Sequence, residues 1–112
     1  MAGIREMIRE RSEKLRNASE LSPHEIADIL LELTSLLSSL SGETVEAEYW
    51  YKTKLQLERE SAKSAVDAKI KAEISPEWKA WRERDAQLKS LIELIRSCKK
   101  FLAVRQDEYN NL

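Results

Sequence analysis

Trp81, Leu88, Ile95, Leu102 and Tyr109 recur every seven residues in a glycine-free segment opened by Ser75-Pro76. Such a repeat specifies a long amphipathic helix whose apolar seam another helix must cover. The breakers allow little else, because only two glycines and two prolines occur in 112 residues. Long uninterrupted helices are compatible with that, whereas many tight turns are not. No run alternates β-branched and polar residues, so no sheet is expected. Leu, Ile, Val and Phe number 27, just above the level at which disorder becomes the default. Charged residues reach 35% yet nearly cancel to −1, the composition of a long-helix or coiled-coil protein.

These features predict an all-α chain forming one helical domain, residues 1–112. A thin N-terminal helix over 2–17 carries Ile4, Met7, Ile8 and Leu15 among alternating Arg, Lys and Glu. Its stripe is so narrow that only docking would order it. Ser22-Pro23-His24-Glu25 then has serine at N-cap, proline at N1 and glutamate at N3, a strong helix start. The helix over 23–40 places Ile26, Leu30, Leu33, Leu37 and Leu40 at heptad spacing and has no Lys or Arg. Ser41-Gly42 is expected to end it, with Gly42 in a left-handed C′ position. A third helix is predicted over 43–73, apolar early and alanine-rich late. The Ser75-Pro76 pair then starts a fourth over 76–109.

The short turn before Pro76 predicts that 43–73 and 76–109 form a long antiparallel, coiled-coil-like hairpin. Reflection about Ser75 sets Tyr49–Tyr51 against Phe101 or Leu102 and Leu57 against residue 93. A lone hairpin cannot cover the leucine-rich helix as well. Packing of that helix gives a three- to four-helix bundle, and association of two chains into a dimer is the companion expectation.

Little in the chain suggests catalysis. His24, the sole histidine, sits in the first turn of its helix and reads as a surface residue rather than a general base. Glu25 and Asp28 lie near it, but no further His or Cys completes a closed metal site. Cys98 falls on the face of Leu91, Ile95 and Leu102, where a thiol behaves as a small apolar group. Glycine-rich phosphate loops and paired Glu-x-x-His motifs are missing. The expectation is a protein that is not an enzyme, with no cofactor and no metal. The single cysteine, the charges interrupting Ile4–Ile8, and Asp28 and Glu32 within the longest apolar stretch predict a cytoplasmic chain without a membrane span.

Nucleic acid is the main alternative partner. Arg82, Lys89, Arg96 and Lys100 lie within about 40° of one another on the last helix, and Lys52, Arg59 and Lys63 align on the third. Two basic ridges with Tyr49, Trp50 and Tyr51 could track a phosphate backbone and stack unpaired bases. Against this, residues 76–112 carry only +2, and three consecutive aromatics span about 200° of a helix. Glu–Lys-laced solvated faces are the simpler reading. Trp78 and Trp81 share a face near the turn; they would plug the bundle end or, with Trp50, anchor a partner protein.

From Glu43 onward the chain has a charged, alanine-rich helix, a proline-containing turn and a final helix reading Arg84-Asp85-Ala86-Gln87-Leu88-Lys89-Ser90-Leu91-Ile92-Glu93-Leu94-Ile95-Arg96-Ser97-Cys98-Lys99-Lys100-Phe101-Leu102. Over residues 43–110 this resembles short helical-hairpin proteins common in phage and prophage genomes. The resemblance implies an accessory role beside single-strand annealing or binding proteins of recombination and replication cassettes. It brings no catalytic or ligand-binding motif. The leading expectation is therefore a non-enzymatic interaction protein with a protein partner. Direct single-stranded DNA binding and a structural, adaptor or chaperone role are the alternatives.

Overall fold

The computed structural model describes residues 3–17 and 20–111. They form four helices: α1 (Ile4–Arg16), α2 (Pro23–Ser61), α3 (Ala65–Glu73) and α4 (Pro76–Asn110). The chain is all-α, a helical hairpin bundle, and none of its described helices is long and apolar enough to cross a membrane. It divides into two compact units, one of residues 1–39 and 89–112, the other of residues 40–88. Residue 2, the first of the expected 2–17 helix, lies outside the described residues.

Helix starts follow the serine–proline signals. At Ser22 the capping box is reciprocal: the Glu25 amide donates to Ser22 Oγ at 3.2 Å, and the Ser22 amide donates to Glu25 Oε1 at 3.3 Å. At Ser75 the hydroxyl accepts from the Trp78 amide at 3.2 Å and donates to the Ala72 carbonyl at 2.5 Å. One buried side chain thereby closes α3 and opens α4.

Two expected boundaries are corrected. The helices predicted over 23–40 and 43–73 are not separated at Gly42, since α2 runs through it for 39 residues. Gly42 has no positive φ, so it is not a left-handed cap. The physical reason is that the buried heptad does not stop there: Leu40, Thr44, Ala47 and Tyr51 continue the line of Ile26 and Leu33. Burial of that line outweighs the roughly 1 kcal/mol helix penalty of one glycine. Thr44 fits the interior because its hydroxyl donates to the Leu40 carbonyl at 2.7 Å. The break falls instead at 62–64. There Ser64 is extended (φ −152°, ψ 163°), and its hydroxyl accepts from the Asp67 amide, starting α3.

The hairpin register changes with the break. In the unit of 40–88, Tyr51 stacks on Trp81 with centroids 5.1 Å apart and planes 14° apart. In the unit of 1–39 and 89–112, Cys98 Sγ lies 3.6 Å from the Ile26 carbonyl, and Arg105 Nε donates to the Leu21 carbonyl at 2.9 Å. The midpoints of these pairs fall at residues 62 to 66, at or just after the 62–64 break and not at Ser75. The expected contact of Tyr49–Tyr51 with Phe101 or Leu102 therefore does not form, and Phe101 stays exposed. It is α2 that pairs with α4, and the short α3 lies in the connection.

Each unit has its own core. Leu15, Ile26, Ile29, Leu33, Leu91, Ile95 and Cys98 are buried in the first, where α1 also docks by an Arg11–Glu32 ion pair at 2.6 Å. Along α1, Arg9 bridges Glu6 and Glu13, and its guanidinium holds the Glu6 carboxyl below the usual carboxylate range. The second core holds Leu40, Thr44, Ala47, Tyr51, Ala68, Ala72 and Ser75. Of the opening heptad, Ile95 is buried, Trp81, Leu88 and Leu102 are partly covered, and Tyr109 is exposed beneath the Arg105 guanidinium.

Candidate interaction surface

Helix α3 is amphipathic in an unusual sense. Ala68 and Ala72 face the core and are fully buried, while Val66, Ile70 and Ile74 stand 70%, 58% and 80% exposed. The three large residues are four apart: Val66 and Ile70 share one face of α3, and Ile74 follows them as its C-cap residue. Ion pairs flank the ridge: Lys71–Asp67 at 3.4 Å and Lys69–Glu73 at 4.0 Å. Solvated charges beside this apolar ridge leave it in water and outside the core. Val66 and Ile70 fall in the alanine-rich late half of the helix expected over 43–73. The alanines do face inward; the ridge was readable from its spacing but was not separated from them.

The same unit exposes Val45, Tyr49, Trp50 and Leu57 on α2. Tyr49 and Trp50 meet edge to face with centroids 5.3 Å apart. Tyr51, about 100° further round the helix, points inward to Trp81. The aromatic triplet is thus split between surface and core. Among the three tryptophans expected as anchors, Trp50 is exposed, whereas Trp78 and Trp81 are half-buried. Arg82 lies 5.8 Å over the Trp81 ring.

Beside Trp50 lies a groove of about 480 Å³. Ala47 and Ala80 line it, with Glu43 and Glu46 from α2 and Glu77 and Arg84 from α4. Arg84 Nε is 3.9 Å from Glu43, the outer limit of an ion pair. Glu77 Oε2 is shielded from solvent and has no hydrogen-bond partner. The sequence could not bring these residues together, because the register it implied set 43–50 against the far end of α4.

The basic residues are exposed, but several are already engaged. Lys52 pairs with Glu48 at 2.9 Å, Arg82 with Asp85 at 3.8 Å and Arg96 with Glu93 at 2.5 Å. Arg59 and Lys100 are exposed on α2 and α4, and Lys89 on α4 also has an interaction partner. Lys63 falls in the 62–64 break, so it does not continue the line of Lys52 and Arg59 along one helix as expected. His24 is exposed, with Nε2 3.6 Å from the Asp28 carboxylate. No group of three His, Cys, Asp or Glu able to hold a metal ion exists among the described residues. Cys98 is fully buried, and desolvation pushes its thiol pKa up, so it is a poor nucleophile.

No family model, curated protein or solved structure matches this chain.

Proposed function

We propose that this chain is a non-enzymatic helical adaptor that binds another protein through the face residues 40–88 present to solvent. The observation carrying this reading is the exposed Val66–Ile70–Ile74 series, three large apolar side chains held out by α3 and its C-cap while the alanines of that helix occupy the core. A helix laid against such a ridge would bury apolar surface worth roughly 25 cal/mol per Å². Exposed Tyr49 and Trp50 add aromatic residues of the kind that dominate binding energy at protein interfaces. Resemblance to phage hairpin proteins suggests that the partner belongs to DNA recombination or replication machinery, making this chain an accessory factor. A homodimer built through the same face is an assembly variant of this reading. The lone buried thiol suits a cytoplasmic setting.

Single-stranded DNA binding is the second reading, favoured by exposed Tyr49 and Trp50 with Lys52 and Arg59 on the same helix. It is weakened because Lys52, Arg82 and Arg96 already have acidic partners one turn away. Photo-crosslinking separates the two. Benzoylphenylalanine at position 70 is expected to give a discrete protein adduct in cells, and at the exposed control position Asp107 none. Absence of an adduct at 70, or a nucleic-acid adduct alone, would overturn the proposal. In sedimentation, an oligonucleotide-dependent shift that collapses with salt would support the DNA reading.

A further inference from the structure

We propose that the groove beside Trp50 seats a cationic side chain, a lysine ammonium or an arginine guanidinium, carried by the protein partner; this rests on the protein-binding reading above. Charge complementarity selects the occupant. Glu43, Glu46 and Glu77 place three carboxylates around the single guanidinium of Arg84, which leaves a formal charge of −2 in the groove. Arg84 reaches Glu43 only at 3.9 Å and leaves Glu77 Oε2, withdrawn from water, without a donor. A shielded carboxylate oxygen is costly until an N–H reaches it, and a charged donor makes the strongest such bond. The exposed Trp50 ring forms a wall on which a guanidinium or an alkyl stem can lie.

Other occupants fit less well. Phosphates and carboxylates would meet like charge. A bare metal ion needs converging ligands, and among the described residues no three acids form such a set. An extended cation that spreads its donors over separate carboxylates matches the arrangement. Small Ala47 and Ala80 leave room for the stem of a long side chain, and about 480 Å³ also admits its neighbours in a peptide.

The test is an NMR titration of the whole chain with acetylated, amidated tri-arginine. The uncharged tri-citrulline analogue and a short oligothymidylate serve as comparisons. Tri-arginine is expected to give saturable shifts at the Trp50 indole N–H and at the amides of Glu46, Glu77 and Ala80. Glu77→Gln should weaken that binding about tenfold, as loss of one charge-assisted hydrogen bond predicts. Glu46→Gln, on an exposed side chain that cannot unfold the helix, should weaken it as well; Glu60→Gln should not. Equal shifts with tri-citrulline, shifts spread over all acidic residues and untouched by Glu77→Gln, or oligothymidylate at the same residues would each overturn the assignment. So would a dimer that forms without peptide and is dissolved by Glu77→Gln, because the occupant would then be a second copy of this chain. Val66→Asp, on the ridge and outside the groove, should leave tri-arginine affinity unchanged while abolishing the adduct formed by benzoylphenylalanine at position 70. Loss of groove binding with that adduct intact therefore fells only the cation site, and the converse fells only the ridge.

Discussion

Replacing Gly42 by alanine should stabilise the protein, and the sign of the change tests the continuity of α2. Gly42 sits in the interior of a 39-residue helix, with no positive φ. A Cβ built there meets nothing within 4 Å. No contact is gained or broken, so the effect comes from helix propensity and from the narrower unfolded ensemble of alanine. Those amount to about 0.8 kcal/mol at an exposed helical site. Unfolding entropy of about 2.1 cal/mol/K per residue gives ~0.24 kcal/mol/K for a chain of this length, hence a rise in Tm of about 3 °C. Circular dichroism melts at 222 nm would read this, with urea midpoints as a second measure. If Gly42 instead ended a helix in the left-handed region, the added Cβ would cost roughly 1–2 kcal/mol, and Tm would fall. A fall of several degrees would refute the continuous helix and, with it, the register of the hairpin. Gly42→Pro offers a check from the other side. It should cost about 3 kcal/mol or more inside a helix and far less in a turn.

Three further outcomes follow from the cores and caps. Leu91→Ala, at a fully buried position, should cost about 2–5 kcal/mol in urea denaturation, whereas exposed Leu31→Ala should stay within about 0.5 kcal/mol. Ser75→Ala should cost about 1–2 kcal/mol and exceed Ser22→Ala, because the buried Ser75 hydroxyl serves two helices while Ser22 caps one more exposed end. Cys98 should react with a disulfide reagent about a hundredfold more slowly in the folded chain than in denaturant, as burial suppresses both access and ionisation. Since the native thiol pKa is raised, its contribution to stability is complete below the ordinary thiol range and is lost as pH rises through the native value. Cys98→Ala should flatten that alkaline decline in urea midpoint.

The sequence alone determined the class and the punctuation. Sparse glycine, heptads of Leu and Ile and two serine–proline starts dictated helices, because capping and amphipathic burial act over three or four residues and can be read locally. Ile26, Leu33 and Leu40 were legible as core for the same reason, as was Cys98 on the face of Leu91 and Ile95. Other features needed the tertiary structure. Gly42 and Ser64 are competing local signals: one favours a stop that does not occur, the other a start that does. Burial of Thr44, Ala47 and Tyr51 along an unbroken stripe decided between them. That choice moved the fold-back point from Ser75 to 62–64 and brought Tyr51 to Trp81. It also gathered Glu43, Glu46 and Glu77 about one groove and left Val66, Ile70 and Ile74 in water. Helical periodicity fixes which side chains share a face. Which face meets which depends on where the chain turns, and that is a property of the packed whole.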